Sequence, residues 1–274
     1  MKKELAMLPV FIGLLSNGCQ KEVNRPNQND EEIAVASGRQ SDFINTFYGP
    51  EIHLGDGKVR SFVTISHEDV PREIGIEITK GFFQNLPTVY TDMHVPLHHK
   101  ATEVTPYDHL EMDWMPNGHP PAYFQRPHFD IHFYMLPEEE QATIPAANAT
   151  NTSLASTAAF GRPSPGVLPA DYTVASAAIA MMGRHWLDKF ADVLPPFNQT
   201  FTHQFIYGTF DNKVVFLEPM VTREFLLSGT DVHKTIKQPT TFDPRGTYYP
   251  TRYNIYTDEN TEKTYVTLDQ FVLR

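Results

Sequence analysis

The sequence predicts a mainly β fold of α+β character: an antiparallel twisted sheet or barrel carrying a few short helices. Twelve tyrosines and nineteen phenylalanines among 274 residues favour strands. Twenty-two prolines interrupt helices and central strands alike. Beyond the N-terminal region the chain reads as short extended runs divided by Gly, Asn and Asp turn signals.

Taken in order, "MKKELAMLPVFIGLLSNGCQKE" has a basic start, an apolar run from Leu5 to Leu15 and small or polar residues leading to Cys19, the chain's one cysteine. That is the order of a secretory signal. It resembles a bacterial lipoprotein signal over residues 1–18, with Cys19 lipidated as the first mature residue. An ordinary cleaved signal or a short membrane anchor is the other reading, although the apolar run is short for a membrane-spanning helix. The expected address is therefore the cell envelope, lipid-anchored at the outer membrane or the periplasmic face. With no second cysteine, no intrachain disulfide can form, so stability must come from core packing, with a metal as an optional addition. Residues 19–41, polar and without periodicity, read as a flexible tether; twenty such residues reach about 25 Å.

Residues 42–274 are expected to form a single β-rich domain. Within it, "EIHLGDGKVRSFVTI" makes a hairpin about Gly55-Asp56-Gly57. "GIEITKGFFQNLP" runs from a strand into a short helix that stops before Pro87. "YDHLEMDWMP" and "HFDIHFYM" are strands. Residues 141–170, rich in Ala, Ser, Thr, Asn and Pro, read as an irregular insertion. "TVASAAIAMM" carries helix formers and stops at Gly183, which predicts a helix. "FTHQFIYGTFDNKVVFLEPMVT" is a hairpin turning at Asp211-Asn212, in a register that puts His203 and Glu218 on one face.

Charge excludes one class of function. The formal net charge is −11, and the 22 Lys and Arg form no cluster beyond Lys2-Lys3. Nucleic-acid binding needs a basic surface that neutralises phosphates, so no nucleic-acid partner is expected. No Gly-x-Ser-x-Gly elbow or phosphate-cradling glycine loop occurs.

The histidines point to metal chemistry. Seven of the twelve lie between His94 and His132. In "HFDIHFYM", His128, Asp130 and His132 alternate with Phe129, Ile131 and Phe133, so the polar three share one strand face and the apolar three the other. Imidazole is the commonest protein ligand for zinc, iron and copper. We therefore expect His128 and His132 to converge on one divalent ion (Zn, Fe or Mn), with His119 from the preceding Gly-Pro loop as third ligand. His109, heading the period-two stripe His109, Glu111, Asp113, and His185 are further ligand candidates. Asp130 and Glu218 are candidate catalytic bases or metal ligands, and Asp130 is alternatively the acceptor that fixes an imidazole tautomer. His98 and His99, adjacent and so pointing to opposite faces of an extended chain, are expected to be solvent-facing.

The runs "GHPP..Y..PHFDIHFYM", "GRHWLD" and "FIYGTFDNKVVFLEPM" resemble an uncharacterised family of secreted bacterial proteins, a domain of unknown function. Its structural prototype is a thermophile protein controlled by an extracytoplasmic sigma factor. The resemblance spans about Gly49 to Phe225 and implies an envelope protein that forms a homo-oligomer; it implies no activity. A fainter similarity is to cupins, where His128, His132, His185 and Glu218 would be the nearest equivalents of a metal-binding set. Two functions follow: a metal-dependent enzyme acting on a small-molecule substrate, or a non-catalytic envelope protein that binds metal or uses it for stability.

Overall fold

In a computed structural model, residues 44–146 and 158–274 are described. They lie within one unit, Asp42–Arg274. The signal and tether expected over residues 1–41 lie outside the described residues.

Two seven-stranded antiparallel sheets dominate, and neither closes into a barrel. The first has the order β1 (Ile44–Tyr48), β3 (Gly57–Ser66), β4 (Pro71–Thr79), β15 (Lys263–Asp269), β14 (Arg252–Asp258), β12 (Val232–Thr235), with β2 (Ile52–Leu54) also paired to β3. The second runs β5 (Thr91–Val95), β6 (His109–Met115), β7 (His128–Tyr134), β11 (Lys213–Thr222), β10 (His203–Phe210), β9 (Gly183–Asp188), β8 (Tyr172–Ile179). A small pair, β13 (Tyr248–Tyr249) with β16 (Val272–Leu273), stands apart, and α1 (His99–Val104), α2 (Glu138–Gln141) and α3 (Arg223–Leu227) are short.

The sheets pack face to face because each has one apolar face. Ile74, Ile76 and Ile78 of β4 and Val266 and Leu268 of β15 join Leu110, Met112, Phe129, Ile131 and Phe133 of the second sheet in one buried cluster. Phe205 stacks on Tyr253 across the gap, with ring centroids 5.1 Å apart. The second sheet buries its outer face too. Phe124, Leu136, Ile144, Phe160 and Phe201, from loops, cover Ile206, Phe216 and Met220 in a second apolar cluster. Alternation on β7 therefore sorts side chains between two buried environments: all seven residues of the strand are buried. Val215 and Leu217 are buried as well.

Three expectations need correction. The helix expected in "TVASAAIAMM" is instead β8, paired with β9 and closed by a turn in which Met181 has φ +64° and Gly183 φ +84°. Strand pairing supplies the backbone hydrogen bonds that helix propensity alone would assign to a helix. The 141–170 insertion is irregular as expected, but it does not lie outside the fold: Ile144, Phe160 and Leu168 are buried. Its residues 147–157 are outside the described residues.

The third correction concerns the β10–β11 hairpin. It turns at Asp211-Asn212 as expected, with φ +45° and +64°. Near the turn Thr209 pairs with Val214, but a bulge between Gly208 and Thr209 shifts the register, so that Gly208 pairs with Phe216, Ile206 with Glu218 and His203 with Val221. A one-residue slip inverts faces. His203 accordingly points between the sheets, 3.1 Å from the Tyr253 hydroxyl, and Glu218 points to the opposite face.

Candidate metal centre

The outer face of the second sheet gathers the polar stripes. Pairing of β6 with β7 sets Glu111 beside His132, Asp113 beside Asp130 and Met115 beside His128. Pairing of β7 with β11 sets Phe216 beside Tyr134 and Met220 beside Asp130, which leaves Glu218 opposite His132. On β9, His185 pairs with Gly208. Gly208 is needed there, because a Cβ at that position would lie 2.1 Å from the Phe216 ring. The bare glycine lets that ring lie flat between β11 and β9, with its centroid 5.1 Å from that of His185.

Two triads result, each with ligand atoms within 4.8 Å of one another. In the first, Gly118 (φ +66°) turns the loop so that His119 folds back over β7. His119 Nε2 lies 3.3 Å from Asp130 Oδ2, and His128 Nε2 lies 3.1 Å from Asp130 Oδ1. Each ring donates its other N–H to the backbone, His119 Nδ1 to Pro120 O at 2.7 Å and His128 Nδ1 to Arg126 O at 2.6 Å. In the second triad, His132 Nε2 is 3.6 Å from Glu218 Oε1 and His185 Nε2 is 3.7 Å from Glu218 Oε2. Asp113 Oδ2 is 3.7 Å from His132 Nδ1, and the Tyr90 hydroxyl donates to Asp113 Oδ1 at 3.1 Å. The gaps around His132 and Glu218 are too long for hydrogen bonds. Both nitrogens of His132, Oε2 of Glu218 and Oδ2 of Asp113 are buried without a hydrogen-bond partner, as are His128 Nε2 and Asp130 Oδ1.

Burial sets the electrostatics. Desolvation pulls His132 down to about 4 and His185 down to about 3, and it pushes the Glu218 carboxyl well above the usual range, helped by the Asp130 and Asp113 charges. Asp113 rises to about 8 from burial and the neighbouring Asp130. Asp130 goes the other way: burial opposes its charge, but the His128 and His119 imidazoles hold it far below the ordinary carboxylate value. Burial likewise opposes a charge on His119, which Asp130 nevertheless raises above its usual value.

Both triads reach one pocket of about 550 Å³, where His119, Asp130, His132, His185 and Glu218 meet walls formed by Met115, Pro121, Ala175, Ala177, Ile179 and Met182. Irregular pairing between Val174 and Ala178 of β8 carries Ala175 and Ala177 into that wall.

The single ion expected between His128 and His132 is not what the geometry offers. Four residues of strand separate their Cα atoms by about 13 Å, and each imidazole meets partners from other segments instead. The structure gathers His119 with His128 and Asp130, and His185 with His132 and Glu218. It does not bring His109 to either: its Nε2 pairs with Gln141 Oε1 at 2.9 Å, its Nδ1 with Asp108 Oδ1 at 3.0 Å, and its ring stacks on Tyr134. His98 caps the N-terminus of α1, where its Nδ1 accepts from the Lys100 N–H. Sequence reasoning missed Asp113 as a neighbour of His132, and it missed Gly208. The signal for the latter was a lone glycine inside an aromatic strand, which marks a bulge or a close approach.

Compared with protein-family models, curated proteins and solved structures, the chain matches none.

Proposed function

We propose that the protein binds a divalent transition metal (zinc, iron or manganese) through His132, His185 and Glu218, and that with it the protein acts as an enzyme on a small molecule. The observation that carries this reading is the spacing of the three ligand groups, of which His132 Nε2 and Glu218 Oε2 are buried without a hydrogen-bond partner. Ligand atoms about 2.0 to 2.2 Å from an ion at tetrahedral angles lie roughly 3.3 to 3.6 Å apart. The His132–Glu218 and His185–Glu218 gaps are 3.6 and 3.7 Å, too wide for hydrogen bonds and close to that spacing. Two imidazoles with one carboxylate suit zinc, iron or manganese better than calcium. A cation among them would also favour the Glu218 anion that burial alone disfavours.

Catalysis rather than storage is supported by the pocket. Three protein donors leave a fourth position for water or substrate, and the cavity in front of them has room for a small molecule. A bound ion of this kind makes its water acidic enough to attack near neutral pH. Asp130 and Glu218, named from the sequence as bases or ligands, both sit inside triads and fit the ligand role better. The chain's own further contribution is an apolar wall that excludes bulk water. We also propose export and lipid anchoring at Cys19 in the cell envelope, supported by the signal-like N-terminus; Cys19→Ser should then leave the membrane fraction or stay uncleaved.

Metal content of untagged protein, measured by mass spectrometry after exposure to zinc, iron and manganese, tests the main reading. Wild type should retain at least one equivalent that His185→Ala loses. A wild type that retains none overturns it.

A further inference from the structure

We propose that His119, His128 and Asp130 hold a second divalent transition-metal ion, facing the same pocket, so that the protein carries a two-ion centre. This rests on the reading of the His132–His185–Glu218 triad as a metal site and extends it.

The argument starts from tautomers. The carbonyls of Pro120 and Arg126 can only accept, so Nδ1 of both His119 and His128 must carry the proton. In neutral rings the lone pair is then on Nε2, and both Nε2 atoms aim at Asp130, at 3.3 and 3.1 Å. Two lone pairs facing a carboxylate repel. Protonating one ring still leaves the other's lone pair facing the carboxylate, and imidazolium at both positions would bury two cations against one anion, with His128 and Asp130 almost wholly out of solvent. A divalent ion resolves both difficulties by drawing both Nε2 atoms and the carboxylate toward itself. Donors at right angles about an ion lie roughly 3.0 Å apart, near the distances observed.

Backbone acceptance of the remote N–H is also the arrangement that orients ligating histidines in metal sites. His128 Nε2 and Asp130 Oδ1 are buried with no hydrogen-bond partner, which supplies an observation independent of the clustering itself. Asp130 and His132 stand two residues apart on one face of β7, so the two triads lie side by side beneath the shared pocket. Two imidazoles and one carboxylate exclude magnesium and calcium as preferred occupants.

The test strips untagged full-length protein with chelator, dialyses it against zinc, and measures zinc per chain together with the circular dichroism spectrum. Wild type should hold two equivalents, His119→Gln one and His185→Gln one, and the double variant none; magnesium should not substitute. His119 is partly exposed, so His119→Gln should fold even where Asp130→Asn does not. A wild type holding one equivalent, unchanged in His119→Gln and lost in His185→Gln, would make this triad an ion pair only while leaving the function proposed above intact. No zinc in the wild type would overturn both.

Discussion

On the outer face of the first sheet, buried polar groups answer one another. Glu77 accepts from Arg60 at 2.7 Å and from Lys263 at 2.8 Å. Glu73 accepts from the Thr267 and Tyr256 hydroxyls, and Asn254 donates to Thr267 and pairs with His233. On the corresponding face of the second sheet, His128, Asp130, His132, Glu218 and Asp113 each bury at least one polar atom with no partner. Both faces are polar stripes on seven-stranded antiparallel sheets, so architecture does not account for the difference. A buried polar group without a hydrogen bond costs roughly 1 to 3 kcal/mol. The first sheet avoids that cost within the chain; the second concentrates it beside a pocket, where a ligand can offset it.

The largest expected effect tests whether the second face is built for an ion. At one hundred times its dissociation constant, zinc should stabilise wild type by about 2.7 kcal/mol. His132→Ala or His185→Ala should remove the share of the rise in Tm that the His132–His185–Glu218 site supplies, read by differential scanning fluorimetry. A full rise in both variants would place the ion elsewhere and erase the contrast.

Next comes the backbone that lets His185 approach. Gly208→Ala forces a methyl against the Phe216 ring, so it should cost about 1 to 3 kcal/mol in urea unfolding and also weaken zinc binding. Loss of stability with unchanged zinc affinity would mean that the glycine serves packing alone.

A matched pair of carboxylates sharpens the comparison further. Glu77→Gln weakens two charge-assisted bonds and should cost on the order of 1 to 2 kcal/mol with zinc binding intact. Glu218→Gln should lose the zinc equivalent held with His132 and His185 while changing metal-free stability by less than about 1 kcal/mol, because Oε2 has no hydrogen bond to lose. Equal stability losses in the two variants would show that Glu218 is structural.

One side of this contrast, the stripe on β7, was legible in the sequence. Period-two alternation on β7 depends only on strand geometry, so the separation of Phe129, Ile131 and Phe133 from His128, Asp130 and His132 could be read directly. Partnership could not. Which imidazole meets which carboxylate depends on the order β6-β7-β11-β10-β9 and on register, and neither is local. The bulge at Gly208 shows the limit: one extra residue sent His203 inward and left Glu218 facing His132. β8 shows another, since its alanines and serines favour a helix until β9 offers hydrogen bonds to pair with.

The smallest effect, absent at neutral pH, comes from the histidine that the bulge turned inward. His203 is buried between the sheets beside Tyr253 and Phe225, and desolvation, with the nearby Lys234 charge, depresses it to about 4. The unfolded chain takes up this proton near pH 6.5 and the folded chain only near 4, so its contribution to stability is complete above about 6.5 and falls as pH drops toward 4. His203→Gln removes the titration, so its urea midpoint should fall less steeply than wild type between pH 6.5 and 4, with the two curves parallel above 7. Because His203 lies on the face opposite Glu218, zinc binding at pH 7.5 should be the same in both proteins. A variant that loses zinc would return His203 to the metal face and undo the register on which both triads rest.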